Sequence, residues 1–587
     1  MPRMKQNLSA RILLLAASVL LSSSCSTQRN PSESVRTRWA RDPETLDPLL
    51  LANQSTIDAG YLLHASLLQA DFTTHSVTPA LAEALPSIQL VGDSLMHLNY
   101  SLRPAATWDT GQPVLASDVE FTLKLMFCPG LPNEAAGNQY RFVRAVRTAP
   151  GAPRRFTVVC QGQSIEFAHV TGDFFILSEA ALDPGRQLRR YTLAELQHRR
   201  ATAPPDPALL AVARRYRAAV AHGAASALPG CGPYQLVKWE TDRYLRFRRK
   251  PHWWGDQVRP TPFVLLARPR QLDYLIIPDA ATATLALRRG DLDLYPQMPA
   301  REFARLRASP TARAALNFYS TPSHDVVTAG FNTRRPALAD ALTRRALSRC
   351  FDAGGLLQAT QQGAGQRTVG IISPSDRANY NDSLPLLRFA PGEAAALLRQ
   401  AGWQRVAGAG WFRSVGQGPR QQLRLLVRYR SDEALFGTVA LQFQAATAGL
   451  DIPVTLRPTE SGAFPAALQA GDFDMYVRVL KGNPFMFNFT PILHTLGVGA
   501  GNSTGFSTKA SDQLIEAIAT AHNRPQQARL LRRFQALLQH EAPLVPLFFL
   551  PNRIAASKQL RGLRVSNLKP GYSLLDVDRQ SSPSPAP

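Results

Sequence analysis

Tyr476, Arg478, Lys481 and Asn483 gather two cations, a phenol and an amide on one short stretch, Asp474-Met-Tyr-Val-Arg-Val-Leu-Lys-Gly-Asn-Pro484. Guanidinium and ammonium groups placed this way suit an anionic partner, arginine through its planar fork and lysine as a compact point charge. No residues able to transform such a partner accompany them. The sequence has no Gly-x-Ser-x-Gly elbow, no P-loop and no His-Glu-x-x-His. His540-Glu541 lacks a second histidine one turn away, and Pro543 would break the helix that motif needs. The 11 histidines are scattered, so no His/Cys/carboxylate metal set is expected. The chain therefore reads as a binding protein, with neither catalytic residues nor a cofactor.

The rest of the sequence must supply the elements that hold those groups. At 587 residues, 45% of them hydrophobic and 19% charged, the chain is globular and long enough for two or three domains. Its net charge is +23, and only eight of 66 basic residues are lysine. Arginine in such excess suits carboxylate or phosphate, although a coding bias toward arginine and alanine gives the same composition. No basic block interleaved with aromatics points to nucleic acid. Arg3, Lys5 and Arg11 precede a largely apolar run, Ile12–Leu21, which is too short to span a bilayer and reads as an export signal. Leu21-Ser22-Ser23-Ser24-Cys25 then resembles a lipobox, in which Cys25 receives a lipid before cleavage; Ser22 departs from the usual leucine, and an ordinary signal peptide is the alternative. Cys128, Cys160, Cys231 and Cys350 remain. They allow three full pairings, with Cys128–Cys160 the preferred bridge and buried free thiols the other reading.

Several segments read locally without ambiguity. Pro229–Gly255 is turn, strand, turn, strand, turn, with Leu245 and Phe247 on one face of the second strand. Val119–Phe127 reads as a helix capped by Ser117 or Asp118, and Leu95–Leu102 as a half-buried strand. Leu423–Tyr429, Glu433–Ala448 and Ile452–Leu456 follow in βαβ order. Ser511–His540 is a helical pair, with Pro525 in the first turn of the second helix and an apolar stripe of Leu530, Leu531, Phe534, Leu537 and Leu538.

Read in order, these segments resemble the family 5 extracellular solute-binding proteins, the oligopeptide, dipeptide and nickel receptors of ABC importers. Thr78-Pro79-Ala80-Leu81-Ala82-Glu83, Trp108-Asp109-Thr110-Gly111-Gln112-Pro113 through Thr122, Gly230-Cys231-Gly232-Pro233-Tyr234, Phe331-Asn332 and Ala542–Pro551 carry the resemblance. It implies an α/β, two-lobed fold of the type II periplasmic-binding-protein kind, with an extra small domain in the first lobe and a two-strand hinge. The expected division is a signal at 1–24, a tether at 25–40 and lobe I at 41–75. A small domain at 76–228 follows, then lobe I again at 229–318, lobe II at 319–546, a return to lobe I at 547–578, and a disordered tail at 579–587. It further implies a monomer on the periplasmic side of the envelope, anchored to a membrane by lipid. Its partners would be a small solute or short peptide and an ABC permease/ATPase complex. A lipid-anchored sensor or scaffold of the same fold is the alternative.

The family's peptide receptors hold the peptide amino terminus with an acid in a "Trp-x-x-Asp-x-x-(Asp/Glu)-Pro" segment. Here the corresponding stretch has no tryptophan and places Lys481 and Asn483 where acids are expected, which suits an anionic or neutral ligand. The ligand residues implied by a cleft between lobes are then Tyr319 and His324 at the first hinge strand, and Arg428 and Tyr429 at a strand end. Tyr476, Arg478, Lys481 and Asn483 come from the substituted segment, and Gln54 and Trp108 from the first lobe. Replacing both cations, Arg478→Ala with Lys481→Ala, is expected to weaken the solute at least tenfold, or about 1.4 kcal/mol; unchanged affinity in calorimetry would remove the pair from the site.

Overall fold

The alternation in Tyr244–Arg249 places Leu245 and Phe247 fully inside, and this strand pairs antiparallel with Tyr234–Glu240 to form the predicted hairpin. The computed structural model describes residues 34–50, 53–199, 204, 206–221, 228–414 and 420–580. The signal segment, Cys25 and residues 581–587 lie outside them.

The hairpin is one edge of an 11-stranded sheet that runs through both lobes. From that edge the order continues through Gln271–Ile276, Ser34–Trp39 and Leu294–Tyr295 to two long antiparallel strands, Leu544–Ser557 and Leu316–Phe331. It then passes to Met475–Lys481, Leu425–Arg430 and Val454–Thr459. Gln366–Arg367 pairs with Phe549 and Phe548 of Leu544–Ser557. In the second lobe, Leu425–Arg430 and Val454–Thr459 are parallel and joined by the helix Ala434–Ala448, so the βαβ unit lies where the sequence predicts it. Helices Lys509–Ala519 and Arg524–Glu541 cover that lobe, the second with Pro525 in its first turn and the Asn523 side chain accepting from the Gln526 N–H.

The two long strands, of 16 and 14 residues, belong to both lobes. Their ladder is regular from Leu316↔Ser557 to Pro322↔Pro551, then slips before resuming at Val326↔Phe549. Neither proline has an N–H, so the ladder loses its donors on both strands at the same level. Ser323, His324 and Asp325 bulge out opposite Leu550, and the Ser323 hydroxyl donates to the Leu550 carbonyl at 2.5 Å.

Each lobe has its own core. The second lobe packs one cluster around Val327, Phe331, Trp403, Trp411, Phe436 and Phe443 and another around Phe473, Tyr476, Phe506 and Phe534. The first lobe packs Val35, Trp39, Leu245, Phe247 and Tyr274 in one cluster with Leu98, Val119 and Leu209 of the 76–228 region. That region contains a four-stranded sheet, Ser87–Val91, Leu95–Ser101, Ala152–Gln161 and Val143–Ala149, with the helix Ala116–Leu125. It is a lateral extension of the first lobe's core, with no apolar boundary between the two.

Four sequence expectations are corrected. The tether does not reach residue 40, because Ser34–Trp39 is a sheet strand parallel to Gln271–Ile276, with Val35 and Trp39 buried. The tail does not begin at 579, since Asp578–Arg579 pairs with Leu560–Arg561. The helix expected at Val119 begins at Ala116; Asp118 is not its cap but its third residue, and its carboxylate accepts the Leu115 N–H at 2.9 Å and the Glu179 N–H at 2.9 Å. Cys128, Cys160, Cys231 and Cys350 are buried free thiols, each pushed up to about 12 by burial, and Cys128 does not bridge Cys160.

Beyond the hinge, Gly330 faces Tyr476 across the ladder, and a Cβ there would lie 2.2 Å from the tyrosine ring. Tyr476 is fully buried and cannot swing away, so glycine is required by close approach. Gly330→Ala is expected to cost about 1–3 kcal/mol through overpacking; the midpoint of urea unfolding measures it, and an unshifted midpoint would show that the ring yields freely.

Candidate functional site

The hinge insertion opens into a cavity of about 100 Å³ between the lobes. Ser323, His324 and Asp325 line it from the bulge, and Lys481 from the end of the neighbouring strand. Gln54 contributes from the first turn of the helix Gln54–Leu63, and Asn552, Asn567 and Lys569 from the returning chain. Lys481 sits directly across the ladder from Asp325, yet Asp325 is paired with Lys569 at 2.9 Å. Lys481 is exposed, and among the described residues it forms no ion pair, although Glu433 is near enough to feel its charge. His324 is 8% exposed, its Nε2 has no hydrogen-bond partner, and burial lowers its pKa, which keeps the ring neutral. Its backbone carbonyl accepts the Gly482 N–H at 2.9 Å; a Cβ on residue 482 would lie 2.5 Å from that oxygen. Glycine therefore lets the chain leave Lys481 pressed against the hinge. Amides, a neutral imidazole and one free ammonium can hold a carboxylate or a polar neutral group by hydrogen bonds, with nothing there to cut or transfer.

Behind Gln54 the first lobe presents acids that the sequence did not single out. Gln54 Nε2–H donates to Asp58 at 2.8 Å, and burial pushes the Asp58 carboxyl up to about 7. One turn along the same helix, the Tyr61 hydroxyl donates to Asp173 at 2.9 Å, and burial raises Asp173 to about 6 against that bond. His169 stands 3.6 Å from Asp173 and is lowered to about 4, mainly by burial, so it is neutral at pH 7. Asp58 lies in an ordinary helical pattern and Asp173 in a loop; neither position carries a spacing that would have flagged it.

The remaining expected site residues divide by what their side chains touch. Lys481, His324 and Gln54 meet at the cavity. Asn483 follows at the exposed turn, its side chain accepting the Phe485 N–H at 2.9 Å. Arg478 lies over the Tyr476 ring at 4.8 Å, and Tyr476 is fully buried in the second lobe's core. Arg428 is buried and bound to the Asp472 carbonyl, the Asp472 carboxylate and the Thr459 hydroxyl, which leaves little of its fork for a solute. Tyr429 packs on the second lobe's core and Tyr319 on the first lobe's. Trp108 is 4% exposed and donates to Asp118 at 3.3 Å, deep in the first lobe's extension, so the structure places it away from the cleft.

Two lobes joined by two strands around a polar cavity are the architecture of a solute-binding protein. Residues 76–494 match the family described as bacterial extracellular solute-binding proteins, family 5, middle region, and the chain belongs to that family. Its fold is the mixed α/β, type II periplasmic-binding-protein fold. It is 21% identical over 571 residues to the probable D,D-dipeptide-binding periplasmic protein DdpA of Escherichia coli, covering 95% of this chain and 96% of the other. It is 24% identical over 327 residues to heme-binding protein A of Haemophilus influenzae, and that match spans about half of each, 54%. Among solved structures, the periplasmic EDTA-binding protein EppA superposes with a TM-score of 0.76 at 16% identity, covering 94% of this chain and 97% of the other. That likeness concerns the fold.

The raised acid near the cavity has a pH signature. Asp58 has a folded-state pKa above its unfolded one. The stability tied to its protonated form is complete below about pH 4 and is lost as pH rises through about 7. Asp58→Asn removes that loss, so the variant's Tm should gain on the parent's by about 2 °C between pH 5 and pH 8. Thermal unfolding at both pH values measures it, and a constant difference rejects the assignment.

Proposed function

We propose that the protein is the solute receptor of an ABC importer, capturing a small solute that carries a carboxylate by closing its two lobes. The carrying observation is the exposed Lys481 ammonium lining the hinge cavity with no ion pair among the described residues, in the segment where the family's peptide receptors place acids. A solute carboxylate there completes an ion pair with Lys481, with His324 and the cavity amides satisfying its remaining lone pairs. EDTA, in the description of the protein that superposes on this fold, is itself a polycarboxylate. Closure follows from differential affinity: the solute touches residues of both lobes only when they meet, so binding shifts the population toward the closed form that docks on the permease.

The chain works as a monomer on the periplasmic side of the envelope, held to a membrane by lipid on Cys25, with a permease/ATPase complex as partner. Among the described residues no helix is long and apolar enough to cross a membrane. Asp58 and Asp173 favour a second reading, in which the solute is a zwitterion such as a short peptide whose ammonium meets the first lobe's acids. Protein purified without unfolding should retain solute, and native mass spectrometry followed by release identifies its charge class. An acidic compound whose occupancy falls about tenfold in Lys481→Ala is expected. A retained purely cationic compound, or retention indifferent to Lys481, overturns the carboxylate reading.

A further inference from the structure

Glu166 is a buried carboxylate that the hinge cavity does not use. It lies in the first lobe's extension at 6% exposure, and both groups bonded to its Oε1 belong to the other lobe. The Phe487 N–H donates to that oxygen at 3.0 Å, and the Gln527 side-chain amide donates at 2.8 Å. Gln527 is itself fully buried, in the first turns of the helix Arg524–Glu541. The neighbouring backbone bridges the same gap, Ile165 N–H donating to the Ala521 carbonyl at 3.3 Å. Apolar contacts accompany these bonds: Met486 packs on the first lobe's cluster, and the Phe485 ring lies 5.2 Å from the His169 ring.

A carboxylate taken out of water is costly unless its lone pairs are satisfied, and here the satisfaction comes from across the interlobe gap. Opening the lobes returns Glu166 to water, whereas closing them requires these two donors to arrive together. The chain that delivers one of the donors is short. Phe487 follows Lys481 by six positions, and Gly482 between them is pinned to the His324 carbonyl. The segment Gly482–Phe487 is thus fixed at one end by the hinge and at the other by Glu166.

We propose that the first lobe's extension takes part in capture, with Glu166 as a positioning residue that clasps the second lobe and holds the Gly482–Phe487 segment so that Lys481 faces the cavity. The extension then has a role in closure as well as in completing a core. The inference rests on the receptor reading for its purpose, but its geometry is independent of which solute is bound.

Nitroxide labels at Ile88→Cys on the extension and Leu441→Cys on the second lobe, both exposed, report the interlobe distance in the full chain without added solute. Glu166→Ala is expected to lower the ratio of short to long distances about tenfold while the far-ultraviolet spectrum stays unchanged. Gln527→Ala approaches the same contact from the other lobe and should move the distribution in the same direction, by less. Glu166→Gln, which keeps an acceptor but not the charge, should fall between the parent and Glu166→Ala. If Glu166→Ala fails to fold, the Gln527→Ala and Glu166→Gln distributions decide. Distance distributions indistinguishable from the parent's in the folded variants overturn the clasp. Because the readout uses no solute, that failure would leave the receptor reading standing, just as a wrong solute class would leave the clasp standing.

Discussion

Proline facing proline in the middle of two long paired strands is the constraint on which the rest of this structure depends. The ladder is regular up to Pro322 and Pro551, resumes at Val326 with one further slip between Val327 and Thr328, and ties each strand into a lobe with its own apolar core. At that one level neither strand offers an N–H, so the sheet is continuous in connectivity yet weakest where the lobes meet. The extra residues Ser323–Asp325 bulge out there, and the bulge supplies three walls of the cavity. The feature that permits bending is therefore the feature that creates the site, which removes any need for a long transmission path between binding and motion.

Charge in the cleft is arranged with the same economy. Lys569 pairs with Asp325, which stands across the ladder from Lys481, so among the described residues the Lys481 ammonium forms no ion pair. At the outer edge the lobes are also bridged by Arg41 and Asp432 at 2.6 Å, but Arg41 is 64% exposed and such a pair contributes little in salt water. Glu166, buried and satisfied from the opposite lobe, is the interlobe contact whose strength solvent does not dilute.

Much of the fold was legible because its signals are local. Alternation in Tyr244–Arg249, the βαβ order from Leu425 to Thr459 and the apolar stripe of the helix Arg524–Glu541 are each set by neighbours in sequence and were read correctly. The strand Ser34–Trp39 was missed because Ser34, Arg36, Thr37 and Arg38 look polar; Arg36 is paired with Asp293 and Arg38 donates to the carbonyls of Ile277 and Pro278, partners that only the folded chain brings near. The site divides the same way. Lys481 and His324, expected because one replaces an acid and the other follows a hinge strand, both line the cavity. Asp58, Asn552, Asn567 and Lys569 were invisible, since their role arises from long-range closure of the sheet. Arg428 looked like a ligand group for a sound reason, its place near a strand end, but Asp472 claims its guanidinium.

The strand Leu544–Ser557 has a consequence for how the protein comes into being. It is the second of the two connections between lobes, it pairs with strands of both, and it is followed by Asn567 and Lys569, which line the cavity. A chain emerging from its amino end can assemble much of each core, yet it has neither a second hinge strand nor a complete cavity until Leu544–Ser557, Asn567 and Lys569 arrive. The cavity is thus incomplete until those residues are in place. A truncated or partly exported chain would be a pair of lobes on a single strand, unable to sequester solute that the complete receptor could deliver.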